Sequence, residues 1–320
     1  MSMSFAFVFP GQGSQAPGMG RDLADAFPIA RETFQEVDDA LGQHLSKLMF
    51  EGPAEELTLT SNAQPALMAV SVAVTRVLER EGGFRLAEKV ALVAGHSLGE
   101  YSALTAAGSL ELATAARLLR LRGDAMQKAT PAGVGAMAAL LGAEAELAQE
   151  ICAESAENPE GKREVVELAN DNGGGQAVIS GHKAAVERAV EVAKAKGVKR
   201  AMILPVSAPF HCSLMAPAAD AMAEALDRAT LVAPNPPLVA NVTAAKATDP
   251  AAIKDLLVKQ VTGTVRWREC VAAMVAMGCT RFVEAGAGKV LTGLMKRNAP
   301  EASAMAVGNP ADIEAFLKSL

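Results

Sequence analysis

Short apolar runs alternate along the chain with longer stretches rich in Ala, Leu, Arg and Glu. Four runs have the length and composition of strands, at residues 5–9, 90–94, 238–241 and 281–283. The stretches between them, such as residues 65–79 and 110–128, have the composition of helices. Strands separated by helices predict an α/β fold with a mainly parallel sheet.

The pattern changes between residues 132 and 205. It predicts a strand at 135–141, a helix at 144–156, two strands joined by three glycines at 173–175, a helix at 183–196 and a strand at 199–204. This β-α-β-β-α-β order is typical of the ferredoxin-like motif. We therefore expect a smaller ferredoxin-like α+β subdomain, residues 132–205, inserted into a core formed by residues 1–131 and 206–320.

Composition limits the classes of function and location. The chain has 320 residues, of which 50% are hydrophobic, so it can bury a large core. A net charge of −6 argues against nucleic acid or an anionic membrane as a bulk partner.

Four cysteines and four histidines show no metal-ligand spacing, so we expect no metal site and reduced thiols. The amino-terminal apolar run lacks a cationic flank and stops at Pro10, which predicts neither a signal peptide nor a membrane span and favours the cytoplasm.

The pentapeptide Gly-His-Ser-Leu-Gly at 95–99 lies between a predicted strand and a predicted helix. In a G-x-S-x-G turn the glycines allow a sharp bend and keep side chains away from the serine hydroxyl. The free N–H groups at the start of the helix can stabilise an oxyanion. This setting predicts that Ser97 is a nucleophile, with an ordinary glycine-rich turn as the alternative.

A serine nucleophile needs a base, and the chain offers few histidines. His96 precedes Ser97 in the turn, so its side chain should point away from the serine hydroxyl. His44 has the setting of an exposed helix, and His182 that of a helix start. His211 lies in a proline-containing segment between predicted elements, where catalytic side chains concentrate. We therefore predict His211 as the base, against the alternative of a solvated loop histidine.

Arg122 falls on the apolar face of its predicted helix, among Ala115, Leu119 and Met126. A buried guanidinium keeps its charge and needs an anion. That anion could be a buried carboxylate of the protein or the carboxylate of a substrate, held by a bidentate fork. The sequence leaves both interpretations open.

The loop at residues 10–15 follows the first predicted strand. It has neither the Gly-Lys-Ser/Thr of a P-loop nor the spacing of a dinucleotide-binding loop, so both nucleotide interpretations are rejected. Its backbone N–H groups could instead complete an oxyanion hole with that of Leu98.

With these residues assembled, the chain resembles the malonyl-CoA:acyl carrier protein transacylases of dissociated fatty acid synthesis. The resemblance spans essentially the whole chain. The segments that carry it are Phe-Pro-Gly-Gln-Gly-Ser-Gln at 9–15, Gly-His-Ser-Leu-Gly-Glu-Tyr-Ser-Ala-Leu at 95–104, Arg-Leu-Arg-Gly at 120–123, Asn170 with Gln-Ala-Val-Ile-Ser-Gly at 176–181, Pro-Phe-His-Cys-Ser-Leu-Met at 209–215, and Gln260 before Val-Arg-Trp at 265–267.

The resemblance implies a hydrolase-like α/β core with a ferredoxin-like insert and a ping-pong acyltransferase. A serine would take the malonyl group from malonyl-CoA, and the phosphopantetheine thiol of acyl carrier protein would then receive it. The expected partners are malonyl-CoA and acyl carrier protein, with no bound cofactor and a monomeric state. A serine esterase or thioesterase of the α/β-hydrolase type is the alternative enzyme, and a carrier-protein docking module without activity is the alternative outside catalysis.

The resemblance also assigns roles to residues. They are Ser97 as nucleophile, His211 as base, the N–H groups of Gln12 and Leu98 as oxyanion hole, Arg122 as partner of the malonyl carboxylate, the Gln260 carbonyl as the group that orients His211, and His96, Phe210 and Asn170 as pocket residues. Two departures from the family pattern, Gly173-Gly174 and Gly263-Thr264, are expected to loosen loops near the site.

The insert carries a basic bias in spite of the negative net charge. Because the carrier protein of this pathway is acidic, we expect some of these residues to steer its docking. They are Lys183, Arg188, Lys194, Lys196, Lys199 and Arg200.

Overall fold

The structure, a computed structural model, describes residues 4–206 and 208–320. The first three residues, which contributed to the expectation of no signal peptide, lie outside the described part, as does Ser207. Fifteen α-helices are assigned within the described part: α1 Arg21–Ala26, α2 Pro28–Leu41, α3 Leu45–Glu51, α4 Ala54–Thr58, α5 Thr60–Arg80, α6 Leu86–Lys89, α7 Gly99–Ala106, α8 Leu112–Lys128, α9 Ala145–Ser155, α10 Lys183–Ala195, α11 Ala216–Arg228, α12 Pro250–Thr262, α13 Trp267–Ala276, α14 Val290–Asn298 and α15 Pro310–Lys318. In this part of the chain no helix is long and apolar enough to cross a membrane.

The larger sheet has six strands in the order β10-β9-β1-β2-β7-β8. Their bounds are β1 Ser4–Phe9, β2 Val90–Gly95, β7 Leu238–Ala240, β8 Ala245–Ala247, β9 Cys279–Ala285 and β10 Ser303–Val307. All neighbours pair in parallel except β7 and β8, which are antiparallel. The prediction of an α/β fold with a mainly parallel sheet is confirmed.

Two strands of this sheet were not predicted, and the bounds of the four predicted strands differ from the observed ones by up to two residues at an end. The residues of β8 and β10 are mostly exposed or half-buried, so neither strand has the apolar signature of a central strand. The strand predicted at 238–241 ends at Ala240, which leaves Asn241 on the loop at the carboxyl end of the strand.

The smaller sheet is antiparallel, with the order β4-β5-β3-β6. Its strands are β3 Gly135–Leu141, β4 Val166–Asp171, β5 Gln176–His182 and β6 Arg200–Ile203, and α9 and α10 pack on it around a separate apolar cluster. The elements follow the predicted order, and the predicted bounds of β3, α9, α10 and β6 agree within one residue.

Strand β1 shows why both faces of the larger sheet are covered. Successive side chains of a strand point to opposite faces. Phe5 and Phe7 pack on one side against the rings of Phe84 and Phe316. Ala6 lies on the other side, in the cluster that includes residues of α13 and α14. A strand without a polar face can be stable only between two layers of helices.

Helices α5 and α8 approach each other closely at Gly123. A Cβ at this position would lie 2.5 Å from Ser61 Cα and 2.7 Å from Thr60 O, both backbone atoms of α5. Arg122 directly precedes Gly123 on α8. The close contact between the two helices therefore also fixes where the Arg122 side chain enters the core.

We predict that Gly123→Ala lowers the free energy of unfolding by about 1 to 3 kcal/mol, because overpacking outweighs the gain in helix propensity. The matched control is Gly293→Ala in α14, where a Cβ meets nothing within 4 Å. This control should raise the free energy of unfolding by about 0.5 to 1 kcal/mol. Urea unfolding followed by circular dichroism measures both, and a Gly123→Ala protein as stable as the parent would contradict the close contact.

Candidate active site

Ser97 lies on a tight turn between β2 and α7. Because β1 and β2 are parallel neighbours, the loops at their carboxyl ends meet, and the His96 N–H donates to Phe9 O at 3.0 Å. A Cβ on Gly95 would overlap the Gly99 backbone, so no larger residue fits there. Ser97 has a φ of 54°, in the left-handed region that a non-glycine residue rarely adopts. Such backbone strain is typical of functional sites.

Asn241 secures this turn. Its Oδ1 accepts the Ser97 N–H at 2.9 Å, and its Nδ2 donates to Gly95 O at 2.8 Å. Sequence reasoning placed Asn241 inside a strand and gave it no role. Its place at the end of an apolar run is visible in the sequence, but the pairing of β7 with β2, which brings it to this turn, is not.

His211 meets the serine hydroxyl as the sequence predicted. Its Nε2 lies 2.8 Å from Ser97 Oγ, and its Nδ1 lies 2.8 Å from the Gln260 carbonyl oxygen. A carbonyl only accepts, so the proton is on Nδ1 and Nε2 is free to accept the serine proton. His211 has a φ of 57°, so base and nucleophile both occupy the left-handed region.

The environment of His211 favours its neutral form. Burial lowers its pKa to about 3, and the nearby positive charge of Arg122 acts in the same direction, while the Gln260 carbonyl opposes them. His211 is therefore unprotonated at neutral pH, which is the state that a general base requires.

Arg122 is buried, with 1% of its surface exposed, and reaches the nucleophile. Its Nη1 donates to Gln64 Oε1 at 2.8 Å, and its Nη2 donates to Gln260 Oε1 at 2.9 Å and to Ser97 Oγ at 3.2 Å. Its Nε has no hydrogen-bond partner in the described part of the chain. None of the ion pairs between described residues involves Arg122, so the alternative interpretation, a structural ion pair with a buried carboxylate, finds no direct contact.

A buried carboxylate does lie nearby, separated from Arg122 by an amide. Glu100 Oε1 accepts the Asn241 N–H at 2.7 Å, and its other oxygen accepts from Gln260 Nε2. Burial raises the pKa of Glu100 to about 8, although the Asn241 N–H, the charge of Arg122 and the Gln260 amide all lower it. Sequence reasoning assigned no role to Glu100, or to the side chain of Gln260.

Gln12 and Leu98 flank the nucleophile from two loops. Both line the cavity above Ser97. Among the described residues, neither backbone N–H donates to another backbone group. Two unengaged N–H groups beside a serine hydroxyl can bind an oxygen that becomes negatively charged.

The cavity has a volume of about 750 Å³ and lies between the two sheets. Phe210 and Asn170 line it, as the resemblance implied, together with residues of α14. His96 also lines it, but its Nε2 lies 2.8 Å from Asn172 Oδ1 and not on the serine hydroxyl. Burial lowers the pKa of His96, so this ring is a neutral donor to Asn172.

Cys212 follows the base but does not compete as a nucleophile. Its Sγ donates to Pro209 O at 3.2 Å, and burial raises the pKa of its thiol to about 11. All four cysteines are free and buried. Within residues 4–206 and 208–320, no group of His, Cys, Asp or Glu side chains could hold a metal ion.

The turn at Gly173-Gly174 is tied to α14. Arg297 Nη1 donates to Gly174 O at 2.9 Å, and Asn298 Nδ2 donates to Asn172 O at 2.9 Å. Two side chains of α14 therefore hold this turn, and the expected loosening of the loop stays a prediction.

Comparison with known proteins gives matches over the full length. The family model described as acyl transferase domain matches residues 6–311. A malonyl CoA-acyl carrier protein transacylase of Salmonella typhimurium is 49% identical over 98% of both chains. An acyl-carrier-protein-S-malonyltransferase structure from Bartonella henselae is 56% identical over 99% of both chains, with a TM-score of 0.95. A malonyl-transacylase, solved in complex with a type II PKS acyl-carrier protein, is 45% identical over 99% of this chain and 100% of its own, with a TM-score of 0.94.

We predict that the reactivity of Ser97 stays flat between pH 8 and pH 5. A base whose pKa is lowered to about 3 remains unprotonated over this range. An ordinary histidine with a pKa near 6.5 would instead lose about tenfold in rate by pH 5.5. The rate of labelling by a fluorophosphonate probe measures this, with Ser97→Ala as the blank. A sigmoidal fall centred near pH 6.5 would show that His211 is not buried as described.

Proposed function

The chain belongs to the acyl transferase domain family, and on that premise we propose that it transfers a malonyl group from malonyl-CoA to the phosphopantetheine thiol of acyl carrier protein. The names of its relatives support this activity. The observation that carries it within the chain is the buried Arg122 guanidinium, 3.2 Å from Ser97 Oγ and without a carboxylate of its own. A substrate that brings a carboxylate to the serine supplies the missing partner.

In the first half-reaction His211 Nε2 takes the proton of Ser97 Oγ, which attacks the thioester carbonyl of malonyl-CoA. The negative oxygen is bound by the N–H groups of Gln12 and Leu98. The C–S bond then breaks, and the CoA sulfur leaves with the proton held on His211. The product is a malonyl ester on Ser97.

In the second half-reaction the phosphopantetheine thiol of the carrier protein occupies the place of CoA. His211 takes the thiol proton, the sulfur attacks the ester, and Ser97 leaves with that proton. The Gln260 carbonyl accepts from His211 Nδ1 throughout, so it keeps the imidazole oriented and stabilises its charged form. The acyl group arrives already activated as a thioester, so the reaction needs no bound cofactor.

Arg122 distinguishes this reaction from that of an esterase. A guanidinium fork holds a carboxylate with two parallel hydrogen bonds, and its value rises where water is excluded. A neutral acyl ester would leave the buried charge unpaired. Phe210, His96 and Asn170 form the walls against which the thioester and the malonyl methylene pack.

The proposal extends to the architecture. We assign residues 1–131 and 206–320 to a hydrolase-like catalytic core and residues 132–205 to a ferredoxin-like insert. The nucleophile turn after a central parallel strand supports the first assignment, and the strand order of the smaller sheet supports the second. We take the protein as a cytoplasmic monomer.

The expected docking of carrier protein on the basic residues of the insert loses part of its support. Four of the six form ion pairs with carboxylates of the insert itself, which cancel much of their field: Lys183 with Glu187, Arg188 with Glu164, Lys194 with Glu191 and Lys196 with Glu154. Of these six residues, Lys199 and Arg200 remain for the docking of carrier protein.

We predict that malonyl-CoA labelled in the acyl group leaves a malonyl ester on Ser97, and that holo acyl carrier protein then removes it as malonyl-carrier protein. Peptide mass spectrometry locates the ester, and gel analysis of the carrier protein follows the transfer. Ser97→Ala should show neither. Release of free malonate at the same rate with and without carrier protein would indicate an esterase, and label on another residue would refute the assignment of Ser97.

A further inference from the structure

The proposed reaction gives no task to Glu100, although this carboxylate is almost fully buried three residues after the nucleophile. It belongs to the first turn of α7, next to the Ser97 turn. A buried carboxylate is unfavourable unless donors satisfy it. Its two oxygens accept from the Asn241 N–H and from Gln260 Nε2.

The surroundings of the Gln260 amide allow only one orientation. Its Nε2 faces three acceptors: a Glu100 oxygen, Ser97 O at 2.9 Å and Asn241 Oδ1 at 3.2 Å. Its Oε1 accepts from Arg122 Nη2 at 2.9 Å. Rotating the amide by half a turn would place its oxygen against acceptors and its N–H groups against the guanidinium.

This arrangement supplies hydrogen-bond acceptors to the buried guanidinium of Arg122 and still leaves it able to bind a substrate. A direct ion pair would occupy the N–H groups that a substrate carboxylate needs. The amide spacer instead links the Glu100 carboxyl group to Arg122 through Gln260, while Nε of the guanidinium stays without a partner among the described groups. Gln64 Oε1 holds the other terminal nitrogen at 2.8 Å, so the fork is fixed from two sides.

We propose that Glu100 is a positioning residue that acts through the Gln260 side chain to fix the fork of Arg122, and that it thereby sets the preference for acyl groups that carry a carboxylate. The proposal rests on the function proposed above. It gives Gln260 two separate tasks, since its main-chain carbonyl orients His211 and its side chain orients Arg122.

The test is Glu100→Gln, which keeps the size and replaces one accepting oxygen with an NH₂ group. The new amide has one acceptor and one donor where two acceptors are needed. If its oxygen keeps the Asn241 N–H, its NH₂ group faces Gln260 and forces that amide to turn an N–H towards Arg122. We expect kcat/KM for acylation by malonyl-CoA to fall about 10- to 100-fold, mostly through KM. Acylation by acetyl-CoA should fall by less than about twofold, so the malonyl-to-acetyl ratio falls at least about fivefold.

A double-mutant cycle asks whether Glu100 acts through Gln260. Gln260→Met removes the amide and keeps both the volume and the main-chain carbonyl. If the proposal holds, the malonyl-to-acetyl ratio of the double variant equals that of Gln260→Met alone, because the second change has nothing left to disturb. Additive losses would place the effect of Glu100 elsewhere and overturn the proposal.

The matched control is Asp38→Asn, another buried carboxylate that accepts a backbone N–H, from Ser46, but lies on α2 outside the cavity lining. It should leave the ratio unchanged whatever it does to stability. An unchanged ratio in Glu100→Gln, or equal losses for both thioesters, would mean that Glu100 only supports the turn. Failure of the parent protein to transfer malonyl would refute the proposed function instead, so the two failures are distinguishable.

Discussion

The active site is organised around one buried positive charge. The Arg122 guanidinium keeps its charge even where burial lowers its pKa, so the surrounding structure must supply acceptors. The acceptors are the side chains of Gln64 on α5, Gln260 on α12 and Ser97 on the turn after β2. The close approach of α5 and α8 beside it, and the cation-to-ring contact with Tyr101 at 5.9 Å, hold it at the floor of the cavity. The same positive charge lowers the pKa of His211. The guanidinium can still bind one anion.

Hydrogen bonds from later parts of the chain stabilise the strained backbone at Ser97 and His211. Ser97 and His211 both have positive φ, which neither residue adopts readily. Asn241 binds the N–H of Ser97 and the carbonyl of Gly95, and Gln260 binds His211 through its carbonyl and the Ser97 carbonyl through its amide. The main-chain carbonyl of Gln260 accepts from His211 Nδ1, as the carboxylate does in a Ser-His-Asp triad. The Glu100 carboxyl group instead contacts the side chain of Gln260.

The sequence was sufficient to predict residues that are marked by a motif or by a charged side chain at an apolar position. Ser97 stood out by its turn, His211 by elimination, and Arg122 by its place on an apolar helix face. Glu100 and Asn241 could not be found in this way, because their importance lies in contacts between segments far apart along the chain, such as the 2.7 Å bond between the Asn241 N–H and Glu100. Likewise β1 and β2 were evident from apolar runs, whereas the edge strands β8 and β10 are exposed and carry no such signal.

The central claim is that the unpaired charge of Arg122 selects a substrate with a carboxylate. The most direct measurement is kcat/KM of Arg122→Ala with malonyl-CoA and with acetyl-CoA, with Arg120→Ala on the same helix as control, since Arg120 bonds to Gln43 and Asn62 outside the cavity. The account predicts a loss of about 2 to 5 kcal/mol for malonyl-CoA, about 30- to 5,000-fold, with little loss for acetyl-CoA and an unchanged ratio in the control. Equal losses for the two thioesters in Arg122→Ala would contradict it and would make Arg122 a purely structural residue.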